Sequence, residues 1–151
     1  MGLLLSEIFD VRSTRLNLNG KTKETALEEL IDGIAALHGD CNRSEMFTAI
    51  WEREEKMSTG IGNGVAIPHV FCGGIDDMAG AIGISQQGID FGALDNKPVY
   101  VIFLLAINAR TKENHLRALN QILRLARSEA YQLIKDAKNA QDVHAILSQT
   151  R

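Results

Sequence analysis

The sequence predicts an α/β protein of layered α/β/α form, and three observations carry that reading. Val99 to Ile107 is an unbroken apolar run without polar alternation, as expected of a central strand covered on both faces. Ala26, Leu27, Leu30, Ile31, Ile34 and Leu37 recur at helical spacing, and Leu116, Leu119, Ile122, Leu123 and Ala126 do so again. Strand-like and helix-like stretches intermix along the chain, so both must share one core. A length of 151 residues fits a single domain, residues 1–151. Such a chain buries roughly 68–70% of its unfolded surface, enough for a core without disulfide staples.

Leu3 to Phe9 reads as a short helical turn, and Arg15-Leu16-Asn17-Leu18 alternates like a strand that Asn19-Gly20 stops. Thr22 caps the first long helix, Glu24 suits its first turn and Gly39 ends it. A second helix starts near Ser44, places Met46, Phe47, Ile50 and Trp51 on one face, and has Arg53 at its C-terminal end. Val65 to Ile67 is a short buried strand; Pro68 stops it because proline has no amide hydrogen to give a ladder. Val70 to Gly74 reads as a turn-rich connection, Met78 to Ser85 as a strand, and Gln86 to Lys97 as a long loop or loose hairpin. Beyond the central strand, a loop from Asn108 to Lys112 leads into a helix with His115 in its first turn. Ser128 caps another helix with Leu133 and Ile134, and Asn139 with Asp142 caps a last one with Val143, Ile146 and Leu147.

Composition removes several classes of function. A net charge of −3 argues against nucleic acid or an anionic membrane as the main partner. The longest apolar run falls far short of the ~20 residues that a spanning helix needs, which excludes direct membrane insertion by this route. Leu3-Leu4-Leu5 has no basic region before it and no cleavage site after it. Cys41 and Cys72 are the only cysteines and read as free thiols in a reducing cytoplasm.

The chemistry points to Ser58-Thr59-Gly60-Ile61-Gly62-Asn63-Gly64-Val65-Ala66-Ile67-Pro68-His69. Alternating glycines let the main chain approach a bound group, and successive amides in such a loop can converge on an anion. His69 follows at a strand terminus. Histidine can be a covalent nucleophile, with a phosphoryl group on the ring as intermediate, provided the attacking nitrogen is neutral. The phosphate then needs donors, which Arg53, Ser58, Thr59, main-chain amides and His115 offer. Phosphoryl transfer mostly requires positioning and charge stabilisation, so this set is chemically sufficient. A blander reading stands beside it: the glycines make a turn and His69 is a satisfied buried polar residue. A metal site from His69, Cys72 and His115 is a further alternative, with ligands still to be supplied by folding. Cys72 as a thiol nucleophile has nothing adjacent to lower its pKa. A nucleotide loop fits poorly, since the glycines precede a strand where both nucleotide fingerprints need a helix. His38 and His144 fall at polar helix ends and read as solvated.

The stretch Arg53-Glu54-Glu55-Lys56-Met57-Ser58-Thr59-Gly60-Ile61-Gly62-Asn63-Gly64-Val65-Ala66-Ile67-Pro68-His69 resembles the signature of the fructose/mannitol-type IIA component of the bacterial phosphoenolpyruvate-dependent phosphotransferase system. Ile89-Asp90-Phe91-Gly92-Ala93-Leu94-Asp95, Pro98-Val99 and His115-Leu116 extend the resemblance over nearly the whole chain. It implies a three-layer α/β/α domain with a mixed sheet, and no metal or organic cofactor. It also implies that His69 accepts a phosphoryl group from the histidine phosphocarrier protein and passes it to a cysteine of a IIB domain. Arg53 and His115 would steady the phosphate, with Ser58 and Thr59 in the loop beside it. The Gly60 to Gly64 loop and the Ser6-Glu7-Ile8-Phe9 opening are closer to the nitrogen-regulatory branch. Free-standing IIA proteins of that branch control partners such as sensor kinases and potassium transport according to phosphorylation state. Val70-Phe71-Cys72 departs from relatives, which often carry a small residue after the histidine.

Overall fold

A computed structural model describes residues 4–149. Leu3 of the expected opening turn, and both ends of the expected 1–151 domain, lie outside the described residues. The chain runs α1 (Leu5–Ile8), β1 (Phe9–Arg15), α2 (Lys23–Leu37), α3 (Arg43–Lys56), β2 (Gly60–Gly62), β3 (Val65–Ala66), β4 (His69–Cys72), β5 (Met78–Ile89) and β6 (Val99–Asn108). A 3-10 segment, Ala109–Asn114, then leads into α4 (His115–Ala126), α5 (Ala130–Lys135) and α6 (Ala140–Ser148).

The apolar run does become the central strand. β6 pairs antiparallel with β5, Ile82 opposite Phe103, and parallel with both β3 and β4 on its other side. β1 runs parallel to β5 and β2 antiparallel to β3, so the sheet is mixed, in the order β1-β5-β6-β3-β2 with β4 also on β6. Alternation along β6 feeds two cores. Ile102, Leu104 and Ala106 pack with Leu27, Leu30, Ile31, Met46 and Ile50 of α2 and α3. Val101, Phe103, Leu105 and Ile107 pack with Leu5, Ile122, Leu125, Val143 and Leu147 of the other helical layer. The three-layer α/β/α form is what the residues required.

Caps behave as read, within a residue or two. Thr22 Oγ1 accepts from Thr25 N (3.2 Å), and Thr25 Oγ1 accepts from Thr22 N (3.2 Å), a reciprocal box at the start of α2. Asn139 Oδ1 accepts from Asp142 N (2.8 Å) at the start of α6. Ser128 Oγ accepts from Ala130 N (3.2 Å) ahead of α5. α2 stops at Leu37, just before Gly39, with His38 as its C-cap.

Four expectations need correction. The first strand is Phe9–Arg15 rather than Arg15–Leu18. Its register shifts between Phe9 and Thr14, where the hydroxyls of Ser13 and Thr14 both bond Asp10 O (3.1 Å each), and this irregularity hides its alternation. β5 continues to Ile89, through residues read as loop, by means of a second irregularity between Ile84 and Ile89. His69–Cys72 is a strand, not a turn-rich connection, because β6 extends far enough to pair with it. His144 is half-buried, with its Nε2 bonded to Ser6 O (2.9 Å), rather than solvated.

One buried ionic cluster sets the approach to the glycine stretch. Glu54, 4% exposed, accepts from Thr59 N (2.9 and 3.1 Å), Thr59 Oγ1 (2.8 Å) and Lys23 Nζ (3.2 Å). Lys23 Nζ also donates to Phe91 O (3.3 Å), which takes the Ser58 hydroxyl as well (2.7 Å). Removing one partner of a buried pair leaves an uncompensated charge, at a cost of about 3–5 kcal/mol. Lys23→Met is expected to lower stability by about 3 kcal/mol in urea denaturation, and adding Glu54→Gln to restore part of it. A double variant no more stable than the single one would show that the carboxylate does not depend on Lys23.

Candidate functional site

Proline at position 68 interrupts the ladder without ending the chain's course along β6. Its carbonyl still accepts from Leu105 N (2.9 Å), so β3 and β4 follow one another beside the same strand. Side-chain alternation persists through the break. Val65 and Ile67 face the core under α4, while Ala66, Val70 and Cys72 face the core under α3. His69 and Phe71 therefore share the α4 face.

His69 is half-buried, and its Nδ1 lies 2.9 Å from Ile67 O. A carbonyl oxygen can only accept, so the proton of the neutral ring sits on Nδ1. Nε2 then carries the lone pair.

His115 opens α4 and places its ring edge-to-face with Phe71, centroids 5.4 Å apart and planes at 85°. It reaches the His69 face of the sheet by way of Phe71. Arg53 comes from the opposite layer, near the end of α3, which packs against β4. Its Nη1 donates to Met57 O (3.0 Å), so in this conformation the guanidinium is held by its own chain. Thr59 O accepts from Ile67 N (3.0 Å), which sets Ser58 and Thr59 beside the residues leading into His69. Both of their hydroxyl protons are committed inward, Ser58 to Phe91 O and Thr59 to Glu54 Oε1.

The glycine stretch differs from its expected role. It is a tight antiparallel hairpin, with positive φ at Gly62 (94°), Asn63 (57°) and Gly64 (82°). Gly60 N donates to Ser58 Oγ (3.0 Å) and Asn63 N to Asp95 Oδ2 (3.1 Å). These amides are spent within the fold, and the Asp95 carboxylate opposes an anion at the tip. The amide hydrogen bonds from Lys97 and Asn63 hold that carboxyl below the usual range. Distance matters too: β3 pairs Val65 with Val101, whereas His69 pairs with Leu105, about 13 Å further along at 3.3 Å per residue. What the glycines provide is the sharp turn that sends β3 toward Pro68 and His69.

Cys72 lies on the other face of β4 from His69, against the core under α3. Burial, together with the nearby Cys41, pushes its thiol up to about 11. Among the described residues, no group of three or more His, Cys, Asp or Glu side chains is arranged to hold a metal ion. Also among the described residues, no helix is long and apolar enough to cross a membrane.

Sequence reasoning missed Glu54 and Phe71. Glu54 follows Met46 and Ile50 at four-residue spacing, so it shares their buried stripe, a signal masked by the charged run Arg53-Glu54-Glu55-Lys56. Phe71 is 46% exposed, and exposure at a strand end is not written in the local pattern.

Residues 7–150 match the family described as "Phosphoenolpyruvate-dependent sugar phosphotransferase system, EIIA 2". The chain is 34% identical over 153 residues to a nitrogen regulatory protein of Escherichia coli K12, covering 98% of this chain and 91% of that one. It is 30% identical over 146 residues to the fructose-specific EIIABC component of Bacillus subtilis, covering 96% of this chain but only 23% of that one. The chain thus spans about a quarter of that relative. The crystal structure of nitrogen regulatory protein IIA-Ntr from Neisseria meningitidis superposes with a TM-score of 0.87 at 27% identity, covering 95% of this chain and 98% of that one.

A raised thiol pKa suppresses the reactive thiolate. With Cys72 at about 11, about one thiol in a thousand is ionised at pH 8. Peptide-resolved alkylation of Cys72 should be slow at pH 8 and rise about tenfold per pH unit toward 11. A rate at pH 8 equal to that of a free thiol would refute the assignment.

Proposed function

We propose that this chain, which belongs to the phosphoenolpyruvate-dependent sugar phosphotransferase system EIIA 2 family, relays a phosphoryl group through His69. The supporting observation is the hydrogen bond from Nδ1 to Ile67 O, which in the neutral ring puts the lone pair on Nε2. The Nε2 lone pair attacks phosphorus on the phosphohistidine of the phosphocarrier protein. The donor's N–P bond breaks, and its electron pair stays with the donor nitrogen. His69 keeps its Nδ1 proton, so the phosphorylated ring carries a positive charge that the Ile67 carbonyl stabilises by a charge-assisted bond. A protonated ring is also a good leaving group. When an acceptor thiolate attacks phosphorus, the Nε2–P pair returns to the ring and the starting tautomer is restored. Neither step moves a proton through the protein.

Arg53 and His115 are proposed to steady the phosphoryl oxygens. For Arg53 this means exchanging the Met57 carbonyl for phosphate, a charge-assisted and stronger partner. For Ser58 and Thr59, a direct phosphate contact would require each hydroxyl to leave its internal acceptor. Their contribution on this reading is to fix the strand that delivers His69. Residues 1–151 act as one EIIA domain in the cytoplasm, with no cofactor. The acceptor is a IIB domain, in keeping with the relative that joins A, B and C parts under one name.

A second reading has its own support. The chain is 34% identical to the nitrogen regulatory protein of Escherichia coli K12, a match that covers 91% of that relative. On that reading the same phosphorylated His69 switches the binding of a regulated target protein.

Incubation with phosphoenolpyruvate, the first enzyme of the system and the phosphocarrier protein is expected to add one acid-labile phosphate, at Nε2 by nuclear magnetic resonance. His69→Ala should abolish labelling; stoichiometric label elsewhere would sink the relay. His115→Ala should still accept phosphate, more slowly, but pass it to the IIB domain of the B. subtilis relative about tenfold slower, about 1.4 kcal/mol of barrier. Unchanged rates for both steps would remove His115 from the mechanism.

A further inference from the structure

Asn108 is where the two histidine-bearing segments are fastened together. It is the last residue of β6 and pairs with Cys72, the last residue of β4, so the strand carrying His69 ends against it. Its side chain is engaged at both ends: Nδ2 donates to Ile75 O (2.6 Å), and Oδ1 accepts from Arg110 N (2.8 Å). Its main-chain N donates to Asp77 O (2.8 Å), and its carbonyl accepts from the Thr111 hydroxyl (3.4 Å). Asp77 in turn accepts from Asn114 Nδ2 (3.4 Å), directly before His115.

This anchoring matters because the connection is weak by itself. Ala109–Asn114 is a 3-10 segment with a non-helical Thr111 (φ −120°, ψ 28°), and 3-10 hydrogen bonds have poorer geometry than those of an α-helix. The N-cap of α4, Asn114, makes no side-chain cap bond; its amide goes to Asp77 instead. The start of α4 is therefore positioned by the Asn108 side-chain bonds to Ile75 O and Arg110 N on either side of the connection, by the Asn114–Asp77 bond, and by the contact of His115 with Phe71.

We propose that Asn108 is a positioning residue that fixes His115 over the His69 face, so that His115 can support phosphoryl transfer. This rests on the relay through His69 proposed above. Asn108→Ala removes both side-chain bonds, while Asn108→Asp keeps the acceptor for Arg110 N and loses the donor to Ile75 O. Asn108→Ala is expected to let His69 take up one phosphate, more slowly, and to slow delivery to the IIB domain about tenfold, as His115→Ala does. In a His115→Ala background it should cause no further slowing. Nuclear Overhauser contacts between the Phe71 and His115 rings should weaken in Asn108→Ala while Asn108→Asp retains more of them. If Asn108→Ala fails to fold, Asn108→Asp carries both measurements, with a smaller loss. Unchanged delivery, an equal further loss in the His115→Ala background, or ring contacts as strong as in the parent would each overturn the role of Asn108. Persistent labelling of His69→Ala would instead remove the relay itself, and the ring contacts would still decide whether Asn108 places His115.

Discussion

A carboxylate taken out of water constrains everything around it, and Glu54 is that group here. Its oxygens need donors, and the fold supplies them from the start of α2, through Lys23, and from the approach to β2, through Thr59. Satisfying Glu54 joins two helices to the start of the hairpin. That hairpin turns the chain back as β3, and β3 runs on through Pro68 to His69. The ion cluster is not itself reactive. It determines where the His69 ring emerges.

The sheet then divides the site between its two faces. β4 shows His69 and Phe71 to α4, and Val70 and Cys72 to α3. The second imidazole shares the first one's face, whereas the guanidinium of Arg53 starts from the other layer and is tied to Met57 O. Cys72 is separated from His69 by the strand's own alternation. The Cys72 thiol, pushed up to about 11 by burial, is turned to the other core from His69.

The layered fold was legible because its strongest signals were physical necessities. An apolar run as continuous as Val99–Ile107 has to be covered on both sides, and the stripes of α2 and α4 have to cover something. Caps such as Thr22 and Asn139 act within three residues, so local sequence contains them. Where pairing is distant, legibility failed. β4 is a strand only because β6 runs on to Asn108, and nothing between Val70 and Gly74 announces it. β1 was misplaced because its irregularity breaks the alternation that marks a strand. At the site, the residue types were visible, but the destinations of their protons were not. The hydroxyls of Ser58 and Thr59, and the amides of Gly60 and Asn63, read as donors for a ligand, yet the fold had already committed them. Asn108 looked like the first residue of a loop, and its bonds depend on a turn far upstream.

The acceptor of the His69 proton is a carbonyl only two positions earlier on the same chain. The tautomer of the neutral ring is thus set within a tripeptide, by a bond that involves none of the outer helices. A substitution at an exposed position of the outer helices, such as Leu116, leaves that tripeptide bond in place.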